Sequence, residues 1–491
     1  MIDCSRCRSG RHVLRLFAAI AQLSVTGVAA AFDPLGAMPG GPATPAARAP
    51  GAAGALGDCP TRPPTAPLPI AEAVSRSLCQ NPETREAWAA VKLRAAAVGA
   101  YESGYLPNLL GAWQDQREYS STKIQGLPEQ NTSNRAWIFA GNLALGWLLY
   151  DFGHREATID QARQLYIAEQ ASLDENLQET FLQSATDYYA AQAGYAAFDS
   201  ASQVEATAQQ SRDAAKSRVG SGVASISDQL QAETALAQAK LNQSKAHAEY
   251  QIELGVLALD MGLEPDAALT LPATSETAAH PEELEQSAHR LIEQAKHSRP
   301  IVAEAEAELA AARSNERMAR SQDYPSISLN GKTTWSDQPT IPGLGINPVP
   351  AADRDSYIGI QVRVPLFDGF ARRYQIEQAK AQTEYQQSAL IVAQRRVARE
   401  VWSSYQSLHE YNENLSDSKA LLDSAEQAFE AARQRYTGGA GNMLELLSAQ
   451  AALANARFQR IQALAHWYTA QLQLAASLGE LGFGSIVSER P

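Results

Sequence analysis

Residues 68–479 contain one sequence unit written twice, and this duplication limits the possible folds more than any other feature. LYDFGHREATIDQAR, from Leu149, matches LFDGFARRYQIEQAK, from Leu366. The same offset aligns the segment AAKSRVGSGVASISDQLQAETALAQAK, from Ala214, with AARQRYTGGAGNMLELLSAQAALANAR, from Ala431, without a gap. Several blocks at one offset indicate a tandem duplication, so the fold must consist of two similar halves.

Each copy predicts the same order of elements: a short helix, two strands, a very long helix, a sharp turn and a return helix. In the first copy the helices are predicted over 70–103, 153–219 and 225–262, and in the second copy the last two are predicted over 371–436 and 443–478. At about 1.5 Å per residue, each long helix spans roughly 100 Å. Helices of this length, with mostly small apolar residues, favour an extended bundle over a compact globule.

The predicted strands alternate along their length in the same phase in both copies. Every second residue from Trp137 to Leu149 is apolar or glycine, and residues 358–366 repeat the pattern. Each strand has a partner that follows a proline, over 108–119 and 326–335. Alternating strands of about ten residues with Trp near their ends are typical of an outer-membrane β-barrel. The residues predicted to face the membrane at the strand ends are Trp137, Trp147 and Trp335.

Two soluble hairpins covered by helices would show the same alternation and are the alternative. Four strands per chain cannot close, because about eight strands form the smallest useful barrel. No open sheet edge survives in lipid, so strands in a membrane would require an oligomer. Beyond the N-terminus the sequence has no run of 18 or more apolar residues, which excludes a helical membrane protein.

The N-terminus predicts export from the cytoplasm. Residues 1–30 combine four arginines with an apolar stretch that ends in Val28-Ala29-Ala30-Ala31, which is typical of a cleaved signal peptide. A buried N-terminal helix is the alternative. Residues 31–67 are rich in Pro, Ala and Gly, and they predict a linker that cannot bury enough apolar surface to fold.

The cysteines predict one disulfide bond in the mature chain. Cys4 and Cys7 lie in the predicted leader, which leaves Cys59 and Cys79 in an oxidising compartment. A bond between them would close a loop of about twenty residues and stabilise the chain by roughly 3 kcal/mol. Two free buried thiols are the alternative.

Charge and motif content exclude several classes of function. The chain has 54 acidic and 41 basic residues, a formal net charge of −13, which disfavours a nucleic-acid-binding protein. Its eight histidines form no H-x-x-x-H pair or cluster with cysteine, and no P-loop follows a strand. The sequence therefore predicts no catalytic residue, metal site or cofactor, and it predicts a protein that is not an enzyme.

This ordered set of features resembles the TolC family of outer-membrane channel-tunnels over about residues 68–482. The resemblance is carried by YLP before the first strand, by LYDFG and LFDGF before the long helices, and by the glycine-containing tips with their return helices. It implies an α+β homotrimer, in which four strands per chain form a twelve-stranded transmembrane β-barrel that continues into a long periplasmic α-helical barrel. The implied division is a first repeat over 68–262, an equatorial connection over 263–298, a second repeat over 299–479 and a tail over 480–491.

The resemblance also implies a gate at the periplasmic tips. Glu445 matches an acidic residue that lines the aperture in the family. Tyr436 matches a position that helps to latch the closed state, and Asp228 matches an acidic partner position. The family's latching arginine is Gly441 here, and its second aperture acid is Ser448. Glu445 and Asp228 also fit a simpler role, because acids are favoured in the first turn of a helix. Three copies of Glu445 around a threefold axis would attract cations.

The partners implied by the resemblance are a periplasmic adaptor, an inner-membrane ABC or proton-driven transporter and the lipid of the outer membrane. The residues expected to contact the adaptor lie at the two tips: Gly222, Val223, Ala224, Ser225, Gly439, Ala440 and Gly441. The cargo is a protein in type I secretion or, alternatively, a small molecule such as a drug or a metal. The lack of a lipobox cysteine and the Cys59…Cys79-Gln-Asn-Pro pattern favour type I secretion. A soluble periplasmic coiled-coil adaptor is the alternative from another class.

Overall fold

The structure, a computed structural model, describes residues 64, 66–272, 287–338, 349 and 351–486. The predicted signal peptide, nearly all of the predicted linker and Cys59 lie outside these residues. Cys79 is disulfide-bonded, and its pairing with Cys59 stays a prediction.

Nine α-helices occur in the described part of the chain, and each copy contains four of them in the same order. In the first copy they are α1 (Ile70–Gln80), α2 (Pro82–Glu102), α3 (His154–Gly220) and α4 (Ile226–Asp260). In the second copy they are α5 (Ala288–Ser298), α6 (Pro300–Ser321), α7 (Ala371–Thr437) and α8 (Met443–Leu478), followed by the short α9 (Phe483–Ile486). The long helices α3 and α7 each contain 67 residues, as the uninterrupted helical pattern predicts.

The prediction of one helix over 70–103 was wrong, because that segment forms α1 and α2. Asn81 leaves the helical conformation and accepts a hydrogen bond from the Glu83 N–H at 2.7 Å. Pro82 follows at the first position of α2, where its missing N–H costs nothing. Helix α5 repeats α1 at the offset that relates Pro82 to Pro300. A helix therefore occupies residues 288–298, inside the segment that was predicted as a connection.

The four strands form one curled antiparallel sheet in the order β1-β2-β3-β4. They are β1 (Asn108–Thr122), β2 (Thr132–Tyr150), β3 (Ser326–Asp337) and β4 (Asp353–Arg363). The last strand was predicted to continue to residue 366 but ends at 363, since Pro365 has no N–H to donate to a strand ladder. Between β2 and β3 the register shifts near Leu148.

The register places the apolar residues of all four strands on one face. Leu109, Leu145, Gly331 and Ile358 lie opposite one another across the sheet. The other face carries mainly polar side chains, which include Gln114, Asn142, Ser328, Asn330, Lys332, Thr334, Asp355 and Gln361. The predicted alternation is therefore present as one apolar and one polar surface.

The helices form a wall in the same order as the strands. Helix α2 leads into β1, β2 leads into α3, α6 leads into β3, and β4 leads into α7. Next to the sheet α3 packs on α2 and α6, and α6 packs on α7. Towards the hairpin tips α3 packs on α4 and α8, and α8 packs on α7. The wall therefore has two edges: α2 and α4 form one, and α7 forms the other.

The largest core lies where the ends of the short helices meet beside the middle of α3. Phe181 and Tyr188 are almost fully buried there, and the Tyr188 hydroxyl donates to the Leu68 carbonyl at 2.9 Å. Tyr189 stacks on Tyr468 at 4.8 Å between ring centroids, which joins the two copies. Between this core and the tips, the small residues Ala208 and Ala239 pack together with Leu236. No helix in the described residues is both long enough and apolar enough to span a membrane.

Candidate functional site: the sheet face and the hairpin tips

The apolar face of the sheet is open to its surroundings in the isolated chain. Ile358 is 71% exposed, Ile360 is 69% exposed and Trp137 is 66% exposed. A contiguous apolar surface of this kind marks a membrane or protein contact, because water would disfavour it. All three tryptophans predicted to face the membrane, at 137, 147 and 335, lie on this face.

Aromatic side chains mark both ends of the apolar face. At the end far from the helices, Arg117 lies over the ring of Trp137 at 5.7 Å, and Arg135 lies over Tyr119 at 5.2 Å. At the other end, Trp147 donates its indole N–H to the Tyr105 carbonyl at 2.9 Å. About ten residues of strand separate the two levels, roughly 33 Å along the strand and roughly 25 Å when tilted. That height matches the apolar band of a membrane-spanning β-sheet.

Gly141 makes room for one of these tryptophans. A Cβ atom at position 141 would overlap the ring carbon Cζ2 of Trp335 on the neighbouring strand. Only glycine therefore allows Trp335 to lie flat across β2. The sequence showed a glycine in the apolar phase of the strand but not the ring that requires it.

A carboxylate and an arginine brace each junction between a strand and its long helix. Asp151 accepts hydrogen bonds from the backbone N–H and Nε of Arg155, at 2.9 and 3.2 Å. Arg155 also donates to the carbonyls of Leu148 and Gly104, at 2.7 and 2.9 Å. An ion pair at 2.8 Å repeats this brace in the second copy, between Asp368 and Arg372. Both pairs have a spacing of four within LYDFGHR and LFDGFAR, a signal that the sequence analysis missed.

The two hairpin tips are glycine turns followed by capped helices. Gly222 and Gly439 have φ values of 73° and 76°, a left-handed conformation that glycine adopts without strain. Ser225 caps α4 through the Asp228 N–H at 3.3 Å, and Asn442 caps α8 through the Glu445 N–H at 2.7 Å. The residues predicted to contact an adaptor, at 222–225 and 439–441, therefore form two equivalent turns.

Tyr436 joins the two tips. Its side chain is buried in a cluster with Ala215 and Ala232 of the first hairpin and with Met443 and Leu446 of the second. Arg218 of the first hairpin donates to the Tyr436 carbonyl at 2.5 Å, and its guanidinium lies 4.7 Å from the centre of the Tyr436 ring. Arg218 of the first hairpin therefore contacts both the backbone carbonyl and the aromatic ring of Tyr436 in the second hairpin.

The electrostatics of the tips place Asp228 near this contact and Glu445 away from it. Burial raises the pKa of the Tyr436 hydroxyl above its ordinary value, Arg218 opposes this shift, and Asp228 adds to it. Glu445 instead forms an ion pair with Arg435 at 2.8 Å within its own hairpin. Asp228 therefore acts electrostatically on Tyr436, whereas Glu445 pairs with Arg435 and gives its backbone N–H to the Asn442 cap.

Gly441 leaves little room for the arginine that the resemblance places there. A Cβ atom would lie 3.0 Å from the Tyr436 nitrogen and 3.1 Å from the Arg435 carbonyl carbon. The arginine that contacts Tyr436 is Arg218, which the sequence analysis missed. Arg435 is the counterpart of Arg218 in the second copy, so the duplication could have drawn attention to Arg218.

In the described part of the chain, no group of three or more His, Cys, Asp or Glu residues could hold a metal ion.

Comparison with known proteins gives the family. The sequence profile of the family described as "Outer membrane efflux protein" matches residues 73–262 and again residues 291–480. The chain belongs to this family. The resemblance to outer-membrane channel-tunnels is thereby confirmed, and the two matched segments begin 218 residues apart, as Pro82 and Pro300 do.

Individual relatives differ in how much of the chain they match. Protein CyaE of Bordetella pertussis is 30% identical over 433 residues, 86% of either chain. The solvent efflux pump outer membrane protein SrpC of Pseudomonas putida is 27% identical over 182 residues, 37% of this chain and 38% of its own. The crystal structure of the Campylobacter jejuni CmeC outer membrane channel superposes with a TM-score of 0.72 at 15% identity, and covers 84% of this chain and 85% of its own. The fold is therefore that of an outer-membrane channel.

Proposed function

We propose that three copies of this chain close into a passive exit duct that crosses the outer membrane and continues into the periplasm. The observation that carries the proposal is the shared order of strands and helices. Because the sheet and the helical wall follow the same sequence of neighbours, both end at the same two edges. One rotation can therefore close both at once, by joining β4 and α7 of one copy to β1, α2 and α4 of the next.

The unpaired edges have the residues that such closure requires. Strands β1 and β4 each lack a neighbour on one side in the described sheet, and lipid does not tolerate unpaired backbone groups. The edge of the wall that is formed by α2 and α4 exposes Leu93 on α2, together with Ile252 and Leu259 on α4. Burial of these side chains against α7 of the next copy would stabilise the closed wall. The large apolar side chains that α7 exposes for this contact include Tyr374, Tyr385, Val392 and Trp402.

The number three follows from the size of the lumen. Two copies would supply eight strands, and the side chains of an eight-stranded barrel fill its interior. Three copies supply twelve strands, the smallest multiple of four that leaves a water-filled path lined by the polar face of the sheet. The resemblance to channel-tunnels implies the same number.

The hairpin tips form the gate and the contact with partners in this proposal. Arg218 and Tyr436 hold the two tips of one chain together, while three copies of Glu445 surround the aperture. An adaptor meets the glycine turns, and an inner-membrane transporter supplies the energy, because the duct is passive. An N-terminal signal peptide directs the chain to the periplasm.

The cargo that we propose is a protein exported by type I secretion. The likeness to the named solvent efflux protein covers little more than a third of the chain, whereas the likeness to Protein CyaE covers 86% of it. The predicted signal peptide ends in small residues without a lipobox cysteine. This feature argues against the branch of efflux channels that are lipoproteins. Export of a small molecule such as a drug or a metal is the second candidate, and the likeness to a solvent efflux protein supports small-molecule export.

The first test is membrane fractionation followed by light scattering of the detergent-solubilised protein. We expect the mature chain in the outer membrane, with a protein mass three times that of one chain. Recovery of a monomer or dimer from the soluble periplasmic fraction would overturn the channel proposal and leave the adaptor. Secretion assays with a protein and a dye as cargo would then distinguish the two kinds of duct.

A further inference from the structure

Two carboxyl groups meet at the base of the first hairpin. Asp187 lies in the middle of α3, and Asp260, the last residue of α4, is within hydrogen-bonding reach of it. The Oδ2 atom of Asp260 is buried and receives no hydrogen bond from a donor among the described residues. Two ionised carboxylates in contact repel, whereas one shared proton replaces this repulsion with a hydrogen bond between the two groups.

The surroundings of this pair are acidic. Glu83 at the start of α2 adds its negative charge to the field at Asp260. Glu249 and Asp187 act in the same way on Glu253, whose pKa is raised mainly by burial. Burial, the contact with Asp187 and the charge of Glu83 raise the pKa of Asp260 to about 7. The native protein therefore retains a proton here that an unfolded aspartate would lose at about pH 4.

Buried basic groups on the helices packed against α3 have partners elsewhere. Arg76 of α1 pairs with Glu72 at 2.8 Å on the same helix. Arg460 of α8 donates to the Leu415 carbonyl of α7 at 2.6 Å. Asp187 itself accepts a hydrogen bond from the uncharged amide of Gln183 at 2.7 Å. The charges that face the pair are therefore those of its acidic neighbours, and they favour the protonated form.

The second copy has no such pair at the equivalent place. The duplication puts Ser404 at the position of Asp187 and Ser477 at the position of Asp260. Both serines are buried, and the Ser477 hydroxyl donates to the Leu474 carbonyl at 2.8 Å. The carboxyl pair at the base of the first hairpin is therefore replaced by two serines in the second, where Arg299 instead donates to the Ser477 carbonyl at 3.3 Å and pairs with Glu400.

We propose that Asp187 and Asp260 form a proton-dependent latch, which holds the end of α4 against α3 and loosens as the solution becomes alkaline. Between about pH 4 and pH 7 the closed state binds one proton more than the open state, so opening becomes easier as the pH rises. Above about pH 7 Asp260 loses this proton, and repulsion from the acidic side chains around it loosens the contact. The latch goes beyond the duct function and does not depend on it.

Hydrogen exchange of the full-length protein in detergent tests the latch. We expect the opening constant of residues 252–260 to rise about tenfold between pH 6 and pH 8, after correction for the chemical exchange rate. The equivalent end of α8, residues 469–477, serves as the internal reference and should not change. The infrared band of a protonated carboxyl group should disappear over the same range.

Variants copied from the second repeat complete the test. Asp260→Ser should remove both the pH-dependent opening and the infrared band, while Asp199→Ser, at an exposed acid further along α3, should remove neither. Asp260→Asn replaces the shared proton with an amide donor and should stay closed at both pH values. Equal responses of α4 and α8 in the wild type, or persistence of the response in Asp260→Ser, would overturn the proposal.

Discussion

Arg218 and Arg435 occupy the same position in the two copies but make different contacts. Arg435 pairs with Glu445 in its own hairpin, whereas Arg218 crosses to Tyr436 of the other hairpin. The difference follows from the next residue, which is Val219 in the first tip and the aromatic Tyr436 in the second. Of these two positions, only the one in the second tip offers a ring for a guanidinium to cover.

Removal of Arg218 should loosen the closed tips. Arg218→Ala loses a charge-assisted hydrogen bond and a cation–π contact, which together stabilise the joined tips by about 1–3 kcal/mol. We expect a larger open probability in planar-bilayer recordings. Arg435→Ala is the matched control, because it breaks an exposed ion pair within one hairpin. The proposed role of Arg218 fails if both variants open equally.

Gly141→Val should prevent the sheet from forming correctly. The new side chain would occupy the space of the Trp335 ring, and overpacking of this kind costs about 1–3 kcal/mol or more. We expect less folded protein in the outer membrane by quantitative immunoblotting. Gly146→Val on the same strand meets no atom within 4 Å of its Cβ and should fold normally. An unchanged yield of Gly141→Val would show that Trp335 can move aside.

At the scale of elements, Arg155 links the end of β2 to the start of α3. Arg155→Ala leaves the carbonyl of Leu148 without its donor and removes the partner of Asp151, at a cost of about 2–3 kcal/mol. We expect a lower midpoint of thermal unfolding by circular dichroism. Arg163→Ala, on the same helix, breaks an exposed pair with Glu102 and should change stability by less than about 1 kcal/mol. Similar midpoints for the two variants would contradict the bracing role.

The sequence predicted those elements whose signals are local and periodic. The ends of α3, α7 and α8 lie close to their predicted positions, because long proline-free helical stretches and glycine tips define them. The faces of the sheet were also predictable, since a period of two fixes which residues share a face. The break at Asn81-Pro82 was missed because the helical pattern continues on both sides of it.

Contacts between distant segments were not predictable in the same way. The crossing of Arg218 to Tyr436 depends on which hairpins are neighbours, and the fit of Trp335 over Gly141 depends on the register of two strands that are far apart in sequence. The contact of Asp187 with the end of α4 depends on which residue of α3 that end lies beside, and this is known only once the hairpin has been built. The duplication would have identified Arg218 as the twin of Arg435 but not its different partner.

At the scale of the whole molecule, closure around a threefold axis would bring three copies of Glu445 together. Glu445→Lys reverses the sign of that ring, so we expect the cation preference of the channel to fall or invert. Reversal potentials in a salt gradient measure the preference. Asp199→Lys adds the same charge far from the tips and should leave it nearly unchanged. Unaltered selectivity in Glu445→Lys would place this residue outside the narrowest part of the path.

The edges of the wall provide the most direct test of closure. Trp402 on α7 is 53% exposed in one chain and lies on the edge that should contact the next copy, whereas Phe458 on α8 is 49% exposed but lies within the wall. Trp402→Glu would bury a charge between copies, an unfavourable change of several kcal/mol for each interface. We expect this variant to dissociate in detergent at concentrations where Phe458→Glu stays trimeric by light scattering. The two residues are almost equally exposed in one chain, but only Trp402 lies at an edge of the wall. Dissociation of Trp402→Glu alone would therefore show that α7 contacts the next copy. A trimer in both variants would instead mean that copies meet through the sheet without the helical edges.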